Sequence, residues 1–219
     1  MNTNNKNMVF FWVGLLAILC FSGCSSKSTT LLATFIPQAI GSEQSIEGEG
    51  IDQFIAYRSA EFNISAKLYE KVSLFGLDLR IENKTGNTVG TLEYSVGIFD
   101  GRDHKPLTIL TREQVIDYRN KIATGGSIKT GNSMVDYSIG QISGLFQTMT
   151  RGETSAYLAI IDWGINHYFA FRPIYANEDR EGVLVAASNF MLEYPVAVVI
   201  KIRDKKIDLR FLPPPSKNT

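Results

Sequence analysis

The chain has 219 residues, with 22 lysines and arginines balanced by 22 aspartates and glutamates, two histidines, two cysteines and 44% hydrophobic residues. That length suits one domain or two small ones, and the even charge leaves no electrostatic footprint for nucleic acid. Two histidines also leave little from which to build a zinc or other transition-metal site.

The amino terminus falls into three zones. A polar start carries Lys6 as its only charged side chain, an apolar run of 14 residues extends from Met8 to Phe21, and the small pair Ser22-Gly23 precedes Cys24. A membrane-spanning helix needs about 20 apolar residues, so the run has the length of a secretory signal and is too short to span comfortably. The residues Phe21-Ser22-Gly23-Cys24 resemble the lipobox of bacterial lipoprotein signals, with Phe21 where leucine is usual. The resemblance implies cleavage before Cys24, lipidation of its thiol through a thioether and acylation of the new amino terminus. Burying acyl chain contributes roughly 0.8 kcal/mol per CH₂, and one chain alone anchors only marginally. Two or three chains on one residue make the attachment effectively permanent. Ser25 and Ser26 behind the cysteine imply sorting to the outer membrane of a diderm bacterium, facing the periplasm or displayed outside. The other readings are an ordinary cleaved signal with a chance cysteine, or an uncleaved anchor.

Removal of residues 1–23 leaves 196 residues with 21 basic and 22 acidic side chains, a net charge of −1. Cys20 leaves with the signal and Cys24 is occupied by lipid, so no thiol remains for a disulfide, a nucleophile or a metal. Residues 24–50 read as lipidated cysteine and tether, with the apolar segment Leu31 to Ile40, broken by Pro37, docking as an edge strand. The stretch from Gly41 to Gly50, with Glu43, Glu47 and Glu49 and no basic residue, reads as an exposed loop. A single compact domain is expected over 51–219.

From there the pattern takes period two, the mark of half-buried strands. Phe62, Ile64, Ala66 and Leu68 alternate with polar neighbours, as do Leu77, Leu79 and Ile81. Asn83 to Asn87 supplies turn chemistry, and the next strand places Leu92, Tyr94, Val96 and Ile98 on one face. The strands on either side of that turn are expected to pair as a hairpin. Thr111 followed by Gln114 is a capping-box arrangement, so a helix is expected up to Gly125-Gly126. Val135, Ile139, Ile142, Leu145, Phe146 and Met149 recur at helical spacing and predict a second helix packed on the sheet. Strands then resume over Ser155 to Gly164 and His167 to Tyr175, as a hairpin about Trp163-Asn166, and continue through Val183 to Ser188, Val196 to Arg203 and Ile207 to Leu212. The expected fold is mainly β: an antiparallel β-sandwich or curved sheet with two inserted helices.

Catalytic constellations are scarce. His104 sits in a turn sequence, and His167 pairs at most with Asp162 while no serine stands in a nucleophile elbow. The glycine-rich Thr124 to Gly131 lacks the glycine before its lysine and follows a helix, so it is no phosphate loop. Asn63 and Asn83 head glycosylation-like triplets that carry no meaning in a bacterial envelope. No metal site, cofactor or catalytic residue is therefore expected. Two features suggest binding instead. One is Trp163 with Asn166, His167 and Tyr168, a recognition loop unless the tryptophan folds back to cap the core; the other is the basic group Lys201, Arg203, Lys205, Lys206 and Arg210, which could face anionic lipid or form a solvated outer face that discourages edge pairing. The expected role is a non-enzymatic envelope lipoprotein, held in the membrane through Cys24 and binding an envelope protein partner. An apolar-ligand carrier and a hydrolase using His167 and Asp162 are the alternatives.

Overall fold

The computed structural model describes residues 33–71, 74–101, 104–124, 151–188 and 195–213. Among them, one sheet contains, in order, β3 (Gln44–Glu47), β4 (Phe54–Arg58), β5 (Phe62–Lys71), β6 (Leu74–Asn83), β9 (Asp179–Ala187) and β8 (Thr108–Ile109). β1 (Ala33–Thr34) adds to it beside β5. The second sheet has the order β2 (Ile36–Gln38), β11 (Lys205–Leu212), β10 (Val196–Ile202) and β7 (Tyr94–Phe99). Every ladder is antiparallel, and the longest, β5 with β6, is in register from Phe62 opposite Asn83 to Lys71 opposite Leu74.

Alternation dictates which side chains meet between the sheets. Ile64, Ala66 and Leu68 of β5 and Leu77, Leu79 and Ile81 of β6 face Val198, Ile200 and Ile202 of β10 and Ile207, Leu209 and Phe211 of β11, all buried in one cluster. Each large apolar side chain buried there contributes roughly 1.5–3 kcal/mol, which is how a fold can stand without disulfides. The expected β-sandwich is the fold observed.

The outer face of the larger sheet is covered by a third layer. Helices α1 (Arg112–Thr124) and α2 (Arg151–Asn166) bury Val115, Tyr118 and Ile161 against Leu74, Val183 and Val185. The Thr111 cap forms as its sequence requires: its amide donates to Gln114 Oε1 at 2.8 Å, and the Gln114 amide donates back to Thr111 Oγ1 at 3.2 Å.

Several expectations need correcting. Residues 155–164 are not a strand but part of α2, since Ile161 and Ile165 fall on one helical face that packs on the sheet. The expected hairpin about Trp163 is therefore the end of a helix. His167 to Tyr175 is an extended segment held by single bridges, Tyr168 to Val183 and Ile174 to Val89. β6 and β7 do not pair: β6 lies between β5 and β9, whereas β7 pairs with β10 in the other sheet. Period two looks the same whether a strand faces its neighbour or the opposite sheet. Leu92 lies in a short 3-10 turn, fully exposed, and does not share the buried face of Tyr94 and Ile98. Residues 44–47 form β3 against β4 rather than a loop, and the sheets take in residues from Ala33 onward, upstream of the expected boundary at Ile51. The signal segment with Cys24, the expected helix from Val135 to Met149 and the glycine-rich residues 125–131 lie outside the described residues.

Candidate functional site

The helical layer covers only part of the larger sheet, and a cleft of about 440 Å³ opens where α2 stops. Trp163, Asn166 and His167 form its roof and rim from the last turn of α2, with the His167 amide closing that turn on the Trp163 carbonyl at 2.9 Å. Tyr168 follows as the chain leaves the helix. Asp78 from β6 and Glu181, Gly182 and Val183 from β9 make the floor.

The exit from α2 is fixed by backbone pairing. Phe169 N–H donates to the Val183 carbonyl at 3.0 Å and Val183 N–H donates to the His167 carbonyl at 2.6 Å, so residues 167–169 run alongside β9 in a parallel bridge. Gly182 permits this close approach, because any Cβ there would stand 2.7 Å from the Phe169 Cα. Trp163 packs half-buried against the helix–sheet cluster, and its ring meets Tyr69 edge-on with centroids 5.4 Å apart. It thus seals the outer core with one part and lines the cleft with another.

The electrostatics of the floor follow from the register. Asp78 stands opposite Lys67 on β5 and opposite Val183 on β9, while Glu181 stands opposite Arg80. Both cations are bound to other carboxylates: Lys67 Nζ binds Asp52 Oδ1 at 2.9 Å and sits 5.0 Å from the Tyr69 ring centroid, and Arg80 binds Asp179 at 2.8 Å. Burial opposes the Lys67 charge, but the bonds to Asp52 and Tyr69 outweigh it and hold the ammonium pKa above its ordinary value. Burial first, and then the neighbouring Glu181, push the Asp78 carboxyl above its ordinary pKa, against smaller opposing effects of Lys67 and His167. Burial likewise raises the Tyr168 phenol, with Glu113 adding to it. Among the described residues neither Asp78 nor Glu181 has a salt bridge.

The structure brings Trp163, His167 and Tyr168 together, as their adjacency suggests. It does not join His167 to Asp162, whose carboxylate is taken by Arg119 of α1. Three members of the basic group meet carboxylates. Arg203 reaches Glu93 at 3.5 Å and the Thr88 carbonyl at 3.1 Å, Lys205 reaches Glu61 at 3.2 Å, and Arg210 lies 3.9 Å from Asp208. Lys201 and Lys206 stand opposite one another, exposed, on the smaller sheet, away from the cleft. Among the described residues no three histidines, cysteines or carboxylates gather as a metal site. Asp78, Glu181 and Gly182 were not singled out in the sequence, where Asp78 is simply a polar residue at an outward position of an alternating strand. No family model, curated protein or solved structure matches the chain.

Proposed function

We propose that the protein is a lipid-anchored outer-membrane lipoprotein of the cell envelope that acts by binding, without catalysis, and that the cleft at the end of α2 is its recognition site. The observation that carries this reading is the cleft itself. It combines aromatic walls, a polar rim and two carboxylates that have no salt bridge among the described residues, in one concavity on the larger sheet. The anchoring half rests on Cys24 and its lipobox-like context. The apolar-carrier alternative would place its cavity under the segment Val135 to Met149, outside the described residues; among those described, Phe35, Phe62, Phe75, Phe169 and Phe211 are buried in one cluster.

Two experiments test the halves separately. Cys24→Ser should move the protein from the membrane to the soluble fraction, and unchanged fractionation would overturn the anchor. Asn166→Trp, at an exposed rim position, should plug the cleft and abolish retention of an envelope ligand by the immobilised protein. Equal retention by wild type and variant would remove the cleft from the function.

A further inference from the structure

We propose that the cleft takes an organic cation, an ammonium or guanidinium group carried on an alkyl stem; this rests on the reading that the cleft is a binding site. The floor is built as a cation receptor whose own cations are committed elsewhere. Lys67 faces Asp78 across the β5–β6 ladder and Arg80 faces Glu181 across the β6–β9 ladder, yet the first is bound to Asp52 and the second to Asp179. Two like charges are thus left side by side under a partial roof, and an incoming cation relieves their repulsion as well as pairing with them.

A neighbouring depression shows what a self-satisfied surface looks like. In the smaller hollow along β4 to β6, of about 290 Å³, Arg58 binds both oxygens of Glu47 at 2.6 and 2.8 Å, and Asn63 donates to Glu82 at 2.8 Å. Its charged side chains already have partners, Arg80 with Asp179 included. The Asp78 cleft differs in that, among the described residues, its carboxylates form no salt bridge.

The rest of the lining selects among cations. Trp163 and Tyr168 offer apolar and π surface along which an alkyl stem lies and over which a cationic head is attracted. A hard divalent ion needs about six or more oxygen ligands at fixed distances, far more than two carboxylates from adjacent strands supply. A neutral sugar would leave the carboxylate repulsion in place, and an anion would add to it. The same cationic head occurs on a basic side chain of a polypeptide and on a free polyamine.

Calorimetric titration of the full-length protein at low salt tests this with cadaverine, a short lysyl peptide, the same peptide with its lysine acetylated, and maltose. Cadaverine or the lysyl peptide should bind, while the acetylated peptide and maltose should not. Asp78→Asn and Glu181→Gln should each weaken binding by about tenfold or more, the size expected for loss of one charged partner. The melting temperature of Asp78→Asn should not fall, so its loss of affinity cannot come from unfolding. Binding of the peptide alone identifies a polypeptide source, and binding of cadaverine alone a free polyamine. Failure of both cations to bind, equal binding of the acetylated peptide, or full affinity in both variants overturns the proposal. If the cations fail while the Asn166→Trp plug still abolishes retention of an envelope ligand, only the cation class falls. If the plug has no effect either, the recognition-site reading falls with it.

Discussion

Phe169 lies beside Gly182 with its Cα so close that a side-chain carbon on Gly182 would stand 2.7 Å from it, and 2.8 Å from the His167 carbonyl oxygen. Both obstacles are backbone, pinned by the bonds to Val183, so neither yields by a rotamer change. Gly182→Ala should therefore lower the unfolding free energy by about 2 kcal/mol, within the usual cost of overpacking. Urea unfolding measures it, and an unchanged midpoint would mean that the close approach is slack.

Asn83 is fully buried and ties the two ends of the sandwich connection together. Its amide nitrogen shares its protons among the carbonyls of Asn87, Ile174 and Tyr175 at 2.8, 3.1 and 3.1 Å, and its oxygen accepts from the Thr85 amide at 3.0 Å and hydroxyl at 2.7 Å. Replacing it with leucine strands several buried partners, each costing about 1–3 kcal/mol when left unpaired. The expected outcome of Asn83→Leu is a loss of at least about 3 kcal/mol. Amide exchange should accelerate first at Val89 and Ile174, which bridge the same two segments.

The raised Asp78 pKa carries a pH dependence of definite sign. Burial and Glu181 make the folded carboxyl hold its proton more tightly than the unfolded one. Folding then contributes stability below the ordinary carboxylate range of about pH 4, which is lost as pH rises through the folded value. Lys67 and His167 act in the opposite direction and shrink the effect. Asp78→Asn should raise the melting temperature at neutral pH and match wild type at low pH. The gain is on the order of a few tenths of a kcal/mol, because the group is partly exposed and screened. Lower stability of the variant at neutral pH would contradict this assignment.

The cap on α1 is reciprocal, with both Thr111 and Gln114 bonded to each other's amides. Thr111→Ala should cost about 1 kcal/mol, and Thr111→Ser much less, because the hydroxyl is what accepts the bond. Since α1 packs Val115 and Tyr118 on the sheet, the loss should appear in global denaturation rather than only as fraying of the helix end.

How much of this was legible depends on whether the determining contact was local. The alternation in β5, β6, β10 and β11 and the Thr111 box are written within a few residues, and each appears as read. The segment around Ile160-Ile161 was read as strand because a short apolar run rich in isoleucine suits either period, and only packing against Val183 and Val185 selects the helix. β3 was hidden by its glutamates: it is an edge strand, where Glu47 is an asset because it reaches Arg58. The cleft was half legible. Trp163, His167 and Tyr168 are neighbours in the chain, but Asp78 and Glu181 meet only through the pairing of β6 with β9, about a hundred residues apart. Two members of the basic group, Arg203 and Lys205, meet Glu93 and Glu61 from distant segments, pairings that no local pattern announces.

β1 joins the larger sheet and β2 the smaller one, with only Phe35 between them, buried and bonded through its amide to the Leu68 carbonyl at 3.0 Å. Any pull arriving along the chain from upstream of Ala33 is therefore delivered to both sheets within six residues. The load falls first on two short ladders, whose rupture would peel the amino-terminal segment away and leave the remaining ladders of both sheets still paired. The fold contains a mechanical fuse at the end through which a tether would act on it.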